Sequence, residues 1–148
     1  VQTCALPILK NKNTEEYLEI LEKKFIKSIE KCADSNYAFN KCKQISEAFF
    51  ERFPNDANVE IIRLEGLLER SPSLHKKWIK LGKDFAIHYA LCINNETVVD
   101  YTYRQFDENK PHPYKDSLEN YLKNWENYSV YKSKAFNNFP IKPMFKIS

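Results

Sequence analysis

Residues 85–93 read Phe-Ala-Ile-His-Tyr-Ala-Leu-Cys-Ile, and after Asn94-Asn95-Glu96 the chain resumes with Thr97-Val98-Val99-Asp100-Tyr101. Two runs dense in aromatic and β-branched residues, parted by a short polar break, specify paired antiparallel strands. Alternation puts Ile87, Tyr89, Leu91 and Ile93 on one face and His88, Ala90 and Cys92 on the other. The first set is bulky and reads as core. The second is small apart from His88 and leaves room for a helix or a substrate to approach.

Loop length decides what faces His88. With a two-residue turn, Ile93 would oppose Glu96, His88 would oppose Tyr101, and Asp100 would fall on the other face. With the three-residue loop Asn94-Asn95-Glu96, Ile93 opposes Thr97 and Ala90 opposes Asp100. The carboxylate then becomes a diagonal neighbour of His88 on the same face. Asparagine suits the positive φ that such loops require, so an odd-length loop or an equivalent bulge is the expected connection.

Upstream, the periodicity is helical. Tyr17, Leu18, Leu21, Phe25, Ile26 and Ile29 recur at three- and four-residue steps across Glu15 to Lys31, with Thr14 available as N-cap. Ala33 to Asn40 breaks the pattern with loop and cap residues. A second helix is expected from about Lys41 to Phe53, ended by Pro54-Asn55-Asp56. Val59 to Leu64 alternates like a strand, with Val59, Ile61 and Arg63 on one face and Ile62 and Leu64 on the other. Between Gly66 and Gly82, Leu74, Trp78 and Leu81 fit either a short helix or a covering loop. Ser117 to Trp125 reads as a helix with Leu118, Tyr121, Leu122 and Trp125 on one face. The aromatic, proline-spaced tail from Tyr128 is expected to pack along the surface. The whole is an α+β chain, its N-terminal helices packed on a small antiparallel sheet.

At 148 residues, with 43% hydrophobic and 14% aromatic content, the chain suits one folded domain with its own core. No apolar run approaches the roughly 20 residues that span a bilayer. The net charge of +3 is small and its basic residues are interleaved with acidic ones, so neither a membrane nor nucleic acid is indicated as a partner. Val1 to Ile8 resemble the translation of a sequencing-adapter oligonucleotide and are read as an artefact on a truncated fragment, which leaves residues 9–148 as the domain. Cys4 drops out of the site argument on the same ground.

Cys32, Cys42 and Cys92 remain. An odd count without regular spacing does not form a disulfide framework, and no Cys-x-x-Cys or His-x-x-x-His pair points to a metal. Reduced thiols and a reducing compartment are expected, with no metal or cofactor.

Cys42 differs from the others because it opens a predicted helix. Backbone amides at a helix start favour negative charge, which populates the thiolate, and the same amides could bind an oxyanion. Asn40 suits a left-handed or capping conformation just before it. Cys32, by contrast, falls at a helix end. With His88 and Asp100 on neighbouring strands, the ordered trio suits nucleophilic catalysis: Cys42 as nucleophile, His88 as base and acid, Asp100 as the group that fixes the imidazole tautomer. The plain alternatives are a buried structural cysteine, a satisfied strand histidine and a turn aspartate.

These residues carry a resemblance. Asn40-Lys41-Cys42 before a helix, Ile87-His88-Tyr89 on a strand and Val98-Val99-Asp100-Tyr101-Thr102 on the next resemble the papain-like fold superfamily in its compact form, above all the papain-fold toxin and glutamine-deamidase-like domains. Asp100 to Phe106 is similar to a D-x-T-x-x-Q-F segment of such domains. The resemblance spans about residues 32–125, and Lys41 departs from it where many relatives carry glycine. It implies a compact papain-like fold and thiolate attack by Cys42 on a carboxamide or peptide bond of a protein or peptide substrate. A toxin effector role and a cognate inhibitor protein are further implications. Asn40, Asn36, Gln105 and Trp78 are its candidate oxyanion or substrate-binding residues. Two other functions compete: a non-catalytic papain-like domain that binds a partner through exposed Trp78, Tyr103, Trp125 and Tyr131, and, more weakly, an RNA-directed toxin using His88, Arg104 and lysines.

Overall fold

The computed structural model describes residues 14–66 and 86–134. In chain order these form helix α1 (14–24), α2 (Ile26–Lys31), α3 (Ser35–Ala38) and α4 (Cys42–Arg52), then strand β1 (Val59–Glu65). After residues 67–85 come β2 (Ile87–Ile93), β3 (Thr97–Asp100), a 3-10 turn (Tyr103–Gln105), β4 (Tyr114–Ser117), α5 (Leu118–Leu122) and β5 (Asn127–Ser133). The five strands form one antiparallel sheet in the order β4-β3-β2-β1-β5. The fold is α+β.

The β2–β3 hairpin has the three-residue connection. Ile93 pairs with Thr97, Cys92 with Val98 and Leu91 with Val99. Asn94 and Asn95 take φ of 55° and 57°, where asparagine is better tolerated than most residues with a Cβ.

Both faces of the sheet are buried. On one, Val59, Ile61, Leu91, Ile93 and Val99 meet the apolar stripes of the helices, including Leu21, Ile29, Phe49 and Phe53. On the other, Ile62, Leu64, Ala90, Cys92 and Val98 are capped by aromatics that include Tyr103, Phe106, Tyr121 and Trp125. Burial of a side chain such as Leu91 stabilises by about 1.5–3 kcal/mol, so the sheet centre anchors the fold. Tyr101 belongs to the helical side, stacking on Phe49 at 4.6 Å and donating its hydroxyl to Glu22 of α1 at 2.7 Å.

Several expectations are corrected. The first helix is broken at Phe25, so Ile26 and Tyr17 are exposed while Leu18, Leu21 and Ile29 face the core. Thr14 lies in the helix, and its hydroxyl accepts the Asn58 N–H at 3.1 Å. The segment read as a loop before Asn40 holds α3, capped by Asp34, whose carboxylate takes the Asn36 N–H. The helix expected over Ser117–Trp125 is shorter: Ser117 closes β4 and caps α5, because Tyr114–Ser117 pairs with β3. The tail from Tyr128 is not a surface strap over its described part but strand β5, paired with β1. Trp125 and Tyr103 are buried, not exposed, whereas Tyr131 is exposed. Trp78, the Gly66–Gly82 reading and residues 1–8 lie outside the described residues, apart from Gly66.

Candidate functional site

β3 ends at Asp100, and its pairing covers only Leu91–Ile93 of β2. The stretch of β2 around His88 and Tyr89 therefore lies beyond the reach of β3. The N-terminus of α4 approaches there, close enough for Cys42 to feel both His88 and the Tyr89 backbone. Strand shortening thus makes room for a thiol beside an imidazole.

His88 is wholly buried. Its Nε2 lies 2.7 Å from Asp100 Oδ2. The ring stacks on Trp125 at 5.4 Å and 9°, and the edge of Phe106 packs against it at 4.9 Å and 84°. With Nε2–H given to Asp100, the remaining nitrogen is Nδ1. No hydrogen bond closes at Nδ1, yet the imidazole and the Cys42 thiol are near enough to act strongly on each other.

The Asp100 carboxylate is saturated with donors. Oδ2 also accepts the Tyr121 hydroxyl at 2.6 Å, and Oδ1 accepts the Thr102 N–H at 2.9 Å and the Thr102 hydroxyl at 3.4 Å. A buried carboxylate held this way keeps one orientation, which fixes the imidazole.

The same network reaches the turn before Cys42. Gln105 Nε2 donates to the Thr102 hydroxyl at 3.4 Å, and its Oε1 accepts the Asn40 N–H at 3.2 Å. Asn40 has φ of 62°, the left-handed residue that turns the chain from α3 into α4. The D-x-T-x-x-Q-F segment thus has a physical reading: Asp100 and Thr102 orient His88, Gln105 holds the turn before Cys42, and Phe106 walls the imidazole. Gln105 is 1% exposed with both amide atoms engaged, so it positions the backbone instead of offering a free donor.

Lys41 folds away from the thiol. Its ammonium donates to the Tyr37 carbonyl at 3.2 Å and lies over the Tyr37 ring at 4.4 Å. It supplies no side-chain cap to α4. Asn36 sits on the exposed side of α3, and Asn40 is exposed beside the helix start.

The three described thiols separate cleanly. Burial pushes Cys32 up to about 11 and Cys92 up to about 12. Burial pushes Cys42 upward too, but the facing His88 and the Tyr89 N–H outweigh it, so its thiol falls below the ordinary 9.0. Burial drives His88 down, yet Asp100 and the Cys42 sulfur reverse that and raise it to about 10. Both shifts favour a thiolate–imidazolium pair. The site is nearly closed: Cys42 keeps 8% exposure, His88 none and Asp100 1%.

The sequence pattern alone does not mark Tyr121 or Trp125 as part of the site. Both lay in a stripe read simply as apolar. A tyrosine in such a stripe needs a partner for its hydroxyl, and that was the available signal. Among the described residues, no group of three His, Cys, Asp or Glu side chains is arranged to hold a metal, and no helix is long and apolar enough to cross a membrane. Comparison with protein-family models, curated proteins and solved structures returns no match.

Proposed function

We propose that the protein is a papain-like cysteine amidohydrolase, a deamidase or peptidase acting on a protein substrate. One observation carries the reading. Of the three described cysteines, only Cys42 has a thiol held below its ordinary range, and it shares His88 with Asp100.

The chemistry follows from the proton positions. The Cys42 thiolate attacks the carbonyl carbon of the amide, forming a C–S bond while the carbonyl oxygen gains the electron pair. The first-turn amides of α4 face that oxyanion. Collapse breaks the C–N bond, and the His88 imidazolium gives its Nδ1 proton to the departing ammonia or amine. Neutral His88 then takes a proton from water, whose oxygen attacks the thioester. The acid is released and the thiolate re-forms against the imidazolium. Asp100 holds Nε2–H throughout.

The near-closure of the site favours a second reading, a papain-like domain that binds a partner without catalysis. A Cys42→Ala comparison separates them. Labelling of the full chain by a thiol-reactive amide probe, together with toxicity on expression, should vanish in the variant with Cys32 and Cys92 intact. Unchanged labelling would remove Cys42 as the nucleophile and leave the binding reading.

A further inference from the structure

The least expected member of the site is Tyr121, which comes from α5 on the far side of the sheet from α4. It is fully buried, and its hydroxyl donates to the Asp100 oxygen that also takes His88 Nε2–H, at 2.6 Å and 2.7 Å respectively. Two donors on one carboxylate oxygen each find a lone pair, but each withdraws charge from the same carboxylate and so weakens the other's bond. The other oxygen already serves Thr102.

We propose that Tyr121 is a positioning residue that sets how strongly Asp100 holds the His88 imidazolium, through competition for a shared carboxylate oxygen. Without that competitor, Asp100 would bind the imidazolium more tightly, and His88 would part less readily with the proton a leaving group needs. With it, the carboxylate keeps its plane and the imidazole stays able to give and take a proton. Thr102 holds the other oxygen through its N–H and hydroxyl, so the tyrosine hydroxyl acts on the strength of the pair as well as on its orientation. This rests on the catalytic reading of Cys42 and His88.

The groups around this pair come from every neighbouring element. Cys42 faces His88 from α4, and Cys32, after α2, feels the Asp100 charge. Tyr103 on the 3-10 turn and Tyr114 on β4 face Tyr121, and His112 before β4 feels both Asp100 and Arg104. None of these other groups donates to Asp100 Oδ2 among the hydrogen bonds of the described residues.

The test is a proton titration that needs no substrate. In the full chain, the pH midpoint of Cys42 alkylation by iodoacetamide is read site by site by mass spectrometry, alongside the His88 ring signal by NMR. Tyr121→Phe should lower the Cys42 midpoint by about half a pH unit or more and carry the His88 proton to higher pH. Site-specific fluorotyrosine at position 121, a stronger donor, should move both in the opposite direction. It keeps the test decisive if the phenylalanine variant fails to fold. Midpoints that stay put, or that move the same way in both proteins, overturn the proposal. Absence of amide hydrolysis with the expected opposed shifts would refute the enzymatic reading alone.

Discussion

Replacing Asp100 by Asn removes the charge that holds His88 protonated while keeping the side chain's shape. The carboxylate serves four donor contacts, from His88, Tyr121 and two groups of Thr102. An amide has one oxygen, so its NH2 must face at least one of those donors. Leaving a buried donor unsatisfied, together with the lost charge-assisted bond, costs about 2–4 kcal/mol of stability. The effect on the thiol should be larger than that on the fold. His88 is wholly buried, and without Asp100 burial wins and the ring becomes neutral. A neutral imidazole no longer supports a thiolate, and Cys42 should move toward its buried neighbours at about 11 and about 12. At pH 7 such a thiol is ionised to roughly one part in ten thousand or less. Nucleophilicity rises with basicity and recovers about half of the lost decades, so alkylation should still slow by more than about tenfold. The assay is the iodoacetamide rate at Cys42 against pH, resolved by mass spectrometry, on a variant with native near-ultraviolet circular dichroism. A folded variant whose rate stays within about threefold of wild type, with an unmoved midpoint, would refute the claim that Asp100 drives thiolate formation.

Stability should follow pH through the same pair. The stabilisation due to His88 is complete below its ordinary 6.5 and is lost as pH rises through about 10, while that due to Cys42 is complete above 9.0 and is lost as pH falls through its depressed midpoint. Toward pH 9 the two trends oppose one another, and urea midpoints measured across pH, wild type against Cys42→Ala, should differ by an amount that shrinks toward acid. Gly66→Ala should cost about 1–2 kcal/mol, because Gly66 holds φ of 76° and an added Cβ would overlap the Glu126 side chain. A melting temperature equal to wild type would show that this turn can relax without loss.

Local patterns were the legible part. The hairpin was readable because loop length and strand period together leave few registers, and the asparagines supply the dihedral angles the loop needs. The two faces of β1 and β2 were readable for the same reason. The edge strands were not. Asn127–Ser133 is half-exposed along most of its length and carries little alternation, so only its pairing with β1 defines it. The break at Phe25 was hidden because the apolar period runs straight through it. Tyr121 was hidden because a hydroxyl within an apolar stripe looks like core until its acceptor is known.

By itself the sequence determined an α+β chain, the odd-length hairpin that brings Asp100 to the His88 face, and a cysteine at a helix start. Those follow from short-range sterics and hydrogen bonding. The tertiary structure decided the meeting of thiol and imidazole, since that requires α4 to cross β2 just where β3 ends. It also decided which thiol is pulled below its ordinary range. Cys32, Cys42 and Cys92 are all buried, and what separates them is the charge that long-range packing places beside each sulfur. Burial and neighbouring charge oppose one another there, and their balance exists only once the chain has folded.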